Sequence, residues 1–142
     1  MDIRKISCIF ASAKENRNIT KTAKTMKTTT NPINYDMNNK VSIYVPSTVN
    51  INKRINNNKQ VLSIIKQMSL LFGGATSYKC TGGWVAKNGD IVTEQVNIVY
   101  SFCNKKSLQN NLSKVINICQ QIKKDMAQEA VTLEVNGKAT FI

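Results

Sequence analysis

The chain contains no histidine, and its 142 residues include only two prolines, one tryptophan and eight acidic side chains. Without histidine there is no Ser-His-Asp or Cys-His set, and the ordinary zinc and haem ligand combinations are missing. The four cysteines, Cys8, Cys80, Cys103 and Cys119, form no C-x-x-C pair, which removes the common dithiol and zinc spacings as well. No apolar run approaches the roughly 20 residues that a membrane helix needs, so no membrane partner is expected. The opening MDIRKISCIFASA imitates a secretory signal, but its apolar run, Ile6 to Ala11, is short and Lys14 and Arg17 follow at once. These absences describe a reduced, cytoplasmic protein with neither metal nor cofactor.

What is abundant is positive charge. Twenty Lys and Arg residues give a formal net charge of +12, with a net of +8 in residues 1–60 and +4 in residues 61–142. A basic front end suits an acidic partner, whether nucleic acid, an anionic protein surface or a membrane; the bland alternative is solubility in an Asn- and Lys-rich chain. Residues 1–40 read as a basic, low-complexity, flexible tail, because the run ITKTAKTMKTTTN offers little to bury. Residues 41–142 read as one α+β domain.

Within that domain the periodicity switches repeatedly. Val41, Ile43 and Val45 alternate with Ser42 and Tyr44, which is strand spacing, and Pro46 ends the run. Val61, Leu62, Ile64, Ile65, Met68, Leu71 and Phe72 recur at helical spacing after N-cap candidates at Asn56 to Asn58, and Gly73-Gly74 closes that helix. Asn88-Gly89 then joins two alternating segments and predicts a two-residue type I′ hairpin. A second stripe of Leu108, Leu112, Val115, Ile116, Cys119, Ile122 and Met126 predicts another helix, capped by Ser107 and finished by Lys123 and Lys124. Ala130 to Val135 and Lys138 to Ile142 read as strands around a tight Asn136-Gly137 turn. The order β-α-β-β-α-β, with a short extra C-terminal strand, predicts a ferredoxin-like two-layer sandwich with one sheet face left open.

Hairpin register decides which residues occupy that open face. A two-residue Asn88-Gly89 turn pairs Lys87 with Asp90. We then expect Val92, Val96, Ile98, Tyr100 and Phe102 beneath the helices, with Thr93, Gln95, Asn97 and Val99 outward. Trp84, Cys80 and Tyr78 turn outward with the second set, and Trp84 stays outward even with a bulge at Gly82-Gly83. An outward indole is either a stacking platform or a residue covered by a second subunit in a homodimer, and the dimer is the expected case. Glu94 falls on the inward series, near the sheet end. Glu129 opens the last part of the chain at a possible site edge. Lys53 and Arg54 could line a phosphate surface with Lys79. The candidate binding residues are therefore Tyr78, Trp84, Glu94, Glu129, Lys53 and Arg54, with no catalytic set and no metal ligands.

VPSTVNIN, LFGGAT, GGW with NGDIV, E-x-V-x-IVYSF and MAQEAVTLEVNGKATFI together resemble a family of small uncharacterised proteins from phages, plasmids and other mobile elements of low-GC Gram-positive bacteria. A more distant likeness is to a bacterial domain of unknown function with its own G-x-W and QE-x-V pattern. The resemblance covers about residues 41–142 and implies an α+β fold in a mobile-element setting, with no activity to transfer.

Three functions follow as expectations. The first is a non-enzymatic phage or plasmid accessory protein that binds a host or mobile-element protein, such as a defence component. The second is a nucleic-acid-binding accessory protein acting through its basic tail and Lys53/Arg54. The third is a small-ligand, nucleotide-sequestering protein or enzyme that uses Trp84, Glu94 and Glu129.

Overall fold

A computed structural model describes residues 36–50 and 53–142; the expected tail and the signal-like opening lie outside the described residues, apart from the last five positions of the tail. Strand β1 (Asn39–Pro46) is followed by a small antiparallel ribbon, β2 (Thr48–Val49) and β3 (Lys53–Arg54), then helix α1 (Asn58–Phe72). Strands β4 (Thr76–Val85) and β5 (Ile91–Cys103) form the long hairpin. Helix α2 (Lys105–Asp125) leads to β6 (Thr132–Val135) and β7 (Lys138–Phe141). Five strands make one antiparallel sheet in the order β4-β5-β1-β6-β7. Two helices and this sheet form the mixed α+β domain that the periodicity predicts; the β2–β3 ribbon has no counterpart in that expectation.

The core lies between the sheet and the two helices. Val41, Ile43 and Val45 of the central strand β1 are fully buried. They pack with Val61, Ile64, Met68 and Phe72 of α1 and with Val115, Ile118, Cys119 and Ile122 of α2. Each such aliphatic side chain contributes about 1.5–3 kcal/mol on burial, which is enough to fix which face of β1 turns inward. Gly73 ends α1 as expected, at φ +89° with its N–H bonded to Ser69 O. The cap of α2 is Asn104, whose side chain accepts from the Ser107 N–H at 2.8 Å, so Ser107 receives the cap instead of providing it.

Two Asn-Gly pairs adopt different turns. Asn136 and Gly137 both have positive φ, +53° and +82°, and Val135 pairs directly with Lys138, which is the two-residue type I′ hairpin. At the other pair only Gly89 has positive φ, +88°. There the Gly89 N–H bonds to Ala86 O and the Ala86 N–H to Asp90 O, closing a three-residue loop, Lys87 to Gly89. Asn88 Oδ1 accepts from the Asp90 N–H instead of leaving that position to the ladder. One extra loop residue shifts the register by one, so Val85 faces Ile91 and Trp84 faces Val92 without a bulge at Gly82-Gly83.

The expected faces of β5 are also reversed. Asn97, Val99, Ser101 and Cys103 lie beneath the helices, opposite Val45, Ile43, Val41 and Asn39. Polar residues are tolerated there because the helix ends satisfy them. Asn97 Nδ2 donates to Asn57 Oδ1 at 2.9 Å, and the Ser101 hydroxyl to Gly74 O at 2.7 Å. Val92, Glu94, Val96, Ile98, Tyr100 and Phe102 take the open face. The two errors cancel for Trp84, Cys80 and Tyr78, which remain on the open side.

Candidate functional site

The ladders arrange the open face in rows that cross the strands. One row runs Thr76, Tyr100, Ser42, Glu134, Ala139; the next runs Tyr78, Ile98, Tyr44, Thr132, Phe141. Beyond them come Cys80 beside Val96, Gly82 beside Glu94, and Trp84 beside Val92. Among the described residues no helix packs over this face, which is unusually apolar and holds Ser42 and Ile98 buried at its centre. Tyr78, Trp84 and Phe102 are each about half exposed, at 46%, 52% and 51%. Tyr78, Tyr100 and Phe102 form an edge-to-face chain, with ring centroids 6.1 and 5.5 Å apart.

Two carboxylates are set into this aromatic surface. Glu94, expected on the inward series, is outward and half-buried, because the face reversal carries it with Val92 and Val96. It lies across Gly82, whose missing side chain leaves room for it. Glu134 accepts a 2.7 Å hydrogen bond from the Tyr44 hydroxyl. That bond, with burial and the nearby negative charge, pushes the Tyr44 phenol up to about 12, so at neutral pH Tyr44 is a donor and not a base.

The six sequence-derived candidates do not converge on one place. Tyr78, Trp84 and Glu94 share the open face. Glu129 is exposed in the connection between α2 and β6, next to Gln128, which donates to Thr48 O at 2.8 Å. Ser47, the preceding residue, donates to Gln95 O at 2.5 Å, so the Ser47–Thr48 segment contacts the neighbours in sequence of both Glu94 and Glu129. Lys53 and Arg54 sit on the β2–β3 ribbon. Arg54 lines a separate cleft of about 300 Å³ with Lys79, Asn56 and Asn57, on the helix-covered side. Tyr44, Glu134 and Ser42 were not among the candidates. Their outward parity was legible, since Ser42 and Tyr44 alternate with Val41, Ile43 and Val45, and Glu134 alternates with Leu133 and Val135.

No family model matches the chain, and no curated protein matches it. Solved structures do match, among them two of phage SAM lyase. One is a phage SAM lyase in the apo state, with TM-score 0.55 and 18% identity over 73% of this chain and 87% of that one. The other is a phage SAM lyase in complex with S-methyl-5′-thioadenosine, with TM-score 0.50 and 16% identity over 73% and 88%. The fold resembles that of phage SAM lyase. Both neighbours are phage proteins, in keeping with the phage part of the resemblance seen in the sequence; neither supports the uncharacterised family itself. The comparison corrects the leading expectation. A non-enzymatic protein that occupies a host or element protein is overturned, because both neighbours are enzymes named for a small molecule. The inference from missing histidine to missing catalysis falls with it. Among the described residues no helix is long and apolar enough to cross a membrane.

Proposed function

We infer that this chain is a small-ligand enzyme acting on a sulfonium nucleoside of the S-adenosylmethionine class, with the open sheet face as its working surface. The observation that carries the reading is the pairing of exposed aromatic rings with two carboxylates, Glu94 and Glu134, on the sheet face opposite the helices, in a fold that resembles that of phage SAM lyase. Aromatic rings suit such a ligand twice: they stack on an adenine, and their faces attract a cation. A carboxylate beside the rings, Glu94, stabilises the sulfonium charge, and Glu134 offers a second anionic acceptor.

The chemistry also fits a chain without histidine. Breaking a sulfonium C–S bond sends both bonding electrons to sulfur, so a neutral thioether leaves and no general acid has to protonate it. The carbon is completed either by an oxygen of the same molecule or by loss of a neighbouring proton to a carboxylate. Glu94, held open by Gly82 and close to Trp84 in the ladder, is the residue we assign to face the reacting end. Tyr44 holds Glu134 in place as an acceptor.

Support for the finer fold assignment is topological. Without β7 and the β2–β3 ribbon, the strands run β4-β5-β1-β6, all antiparallel, which is the order of a ferredoxin-like βαββαβ sheet.

The test is to incubate purified protein with S-adenosylmethionine and follow S-methyl-5′-thioadenosine by mass spectrometry. The reading expects thioether release above the uncatalysed background, reduced at least tenfold by Glu94→Gln. Release at the background rate from folded protein contradicts it.

A further inference from the structure

The row Thr76, Tyr100, Ser42, Glu134 crosses the middle of the open face, and the fold alone does not account for its chemistry. Ser42 is fully buried, yet its Oγ has no hydrogen-bond partner among the described residues. A buried hydroxyl without a partner destabilises a fold, and alanine at this position would remove that cost. Glu134, directly across the ladder, receives the Tyr44 hydrogen bond but meets no cationic side chain among the described residues. Lys40, two residues before Ser42 on the same face, holds its ammonium 4.6 Å above the Tyr100 ring and meets no carboxylate among them.

An unpaired carboxylate and an unpaired ammonium on either side of an unsatisfied hydroxyl are complementary to a zwitterion. We propose that this row binds the α-amino-acid end of the sulfonium ligand. Glu134 accepts from the ligand's α-ammonium, Lys40 pairs with its α-carboxylate, and the Ser42 hydroxyl donates to that same carboxylate. The inference rests on the sulfonium-nucleoside reading and names the part of the ligand that this row recognises. Lys40 is the adjustable element: its ammonium lies over the ring of Tyr100, the cross-strand partner of Ser42, and can leave that ring for a carboxylate. One consequence concerns product release. Cleavage detaches the amino-acid end from the thioether, so the nucleoside product loses these contacts and leaves.

Two thioethers isolate this contribution without turnover. S-Adenosylhomocysteine keeps the amino-acid end, and S-methyl-5′-thioadenosine lacks it. Calorimetric titration of the full chain is expected to show S-adenosylhomocysteine binding at least tenfold more tightly. Lys40→Gln and Glu134→Gln should each weaken it tenfold or more and leave S-methyl-5′-thioadenosine within twofold. Ser42→Ala should raise the melting temperature while weakening S-adenosylhomocysteine severalfold, a combination that a merely structural serine does not produce. Equal wild-type affinity for the two thioethers, or variants that weaken both alike, overturns the amino-acid subsite and leaves the nucleoside reading standing. Failure of the wild type to bind either one overturns both. Lys40, a half-buried side chain whose ammonium meets only the Tyr100 ring among the described residues, keeps the test available if Glu134→Gln does not fold.

Discussion

Gly82 faces Glu94 directly across the β4–β5 ladder, and the glutamate side chain lies beside the position that a Cβ at residue 82 would take. A Cβ built on Gly82 would lie 3.6 Å from Glu94 Cγ and 3.7 Å from Oε1, which are ordinary contacts. Gly82→Ala should therefore keep the fold, with stability unchanged or raised by about 0.5 kcal/mol as the unfolded chain loses freedom. Gly82→Leu has to displace the carboxylate. We expect it to lower thioether release at least tenfold while the urea midpoint stays near that of Gly82→Ala. Full activity in Gly82→Leu would show that the placement of Glu94 is irrelevant.

The two Asn-Gly turns should respond differently to the same substitution. Asn136 holds positive φ, accepts from the Lys40 N–H at 2.8 Å and donates to Asn39 Oδ1 at 2.9 Å. Asn136→Ala should cost about 1–3 kcal/mol from backbone strain and lost hydrogen bonds. Asn88 lacks positive φ and bonds only to Asp90 at an exposed loop tip. Asn88→Ala should cost less than about 1 kcal/mol. Chemical denaturation of both variants checks the order, and equal losses would contradict the turn assignment.

The Tyr44–Glu134 bond predicts an alkaline signature. The phenol is pushed from 10.0 to about 12 in the folded chain, so below pH 10 it is protonated in both folded and unfolded states and contributes no pH dependence. Above pH 10 the unfolded state releases the proton first, and stability falls as pH rises toward 12. Tyr44→Phe should flatten that fall. In absorbance at 295 nm it should also remove a phenol that titrates late, near pH 12. An unchanged alkaline profile would mean that the bond does not form in solution.

Burial should sort the thiols. Cys119 is fully buried and its thiol is pushed up to about 12; burial also raises that of Cys103. Cys80 is only partly covered, on the open face. In a Cys8→Ser background at pH 8, one thiol should react rapidly with Ellman's reagent and the other two only on unfolding. Three rapid thiols would contradict the packing of α2 on the sheet.

Helices, strands and their order were legible because long apolar stripes settle element type, and Gly73 and Pro46 mark where elements stop. Register was not, and the reason is local. An Asn-Gly pair suits both a two-residue and a three-residue loop, and at Asn88 the choice falls to hydrogen bonds involving Ala86 and Asp90. Face assignment failed for a related reason. Hydrophobicity favours turning Val96, Ile98 and Tyr100 toward the helices over Asn97 and Ser101, yet Asn97 and Ser101 take that side because Asn57 and Gly74 supply their hydrogen bonds, while Ile98 is buried within the opposite face. Those partners are 40 and 27 residues away in sequence, beyond the reach of any periodicity. The apolar residues thereby left outside are what make the open face a candidate site.

Trp84 is the only tryptophan in the chain, and it reports on that face directly. Titration of the full chain with S-methyl-5′-thioadenosine, followed by tryptophan fluorescence, should give a saturable change that Glu94→Gln or Tyr78→Ala weakens and that Arg54→Gln, in the separate cleft, leaves alone. Fluorescence that stays flat while calorimetry detects binding, or a response abolished by Arg54→Gln alone, would place the ligand elsewhere and contradict the account.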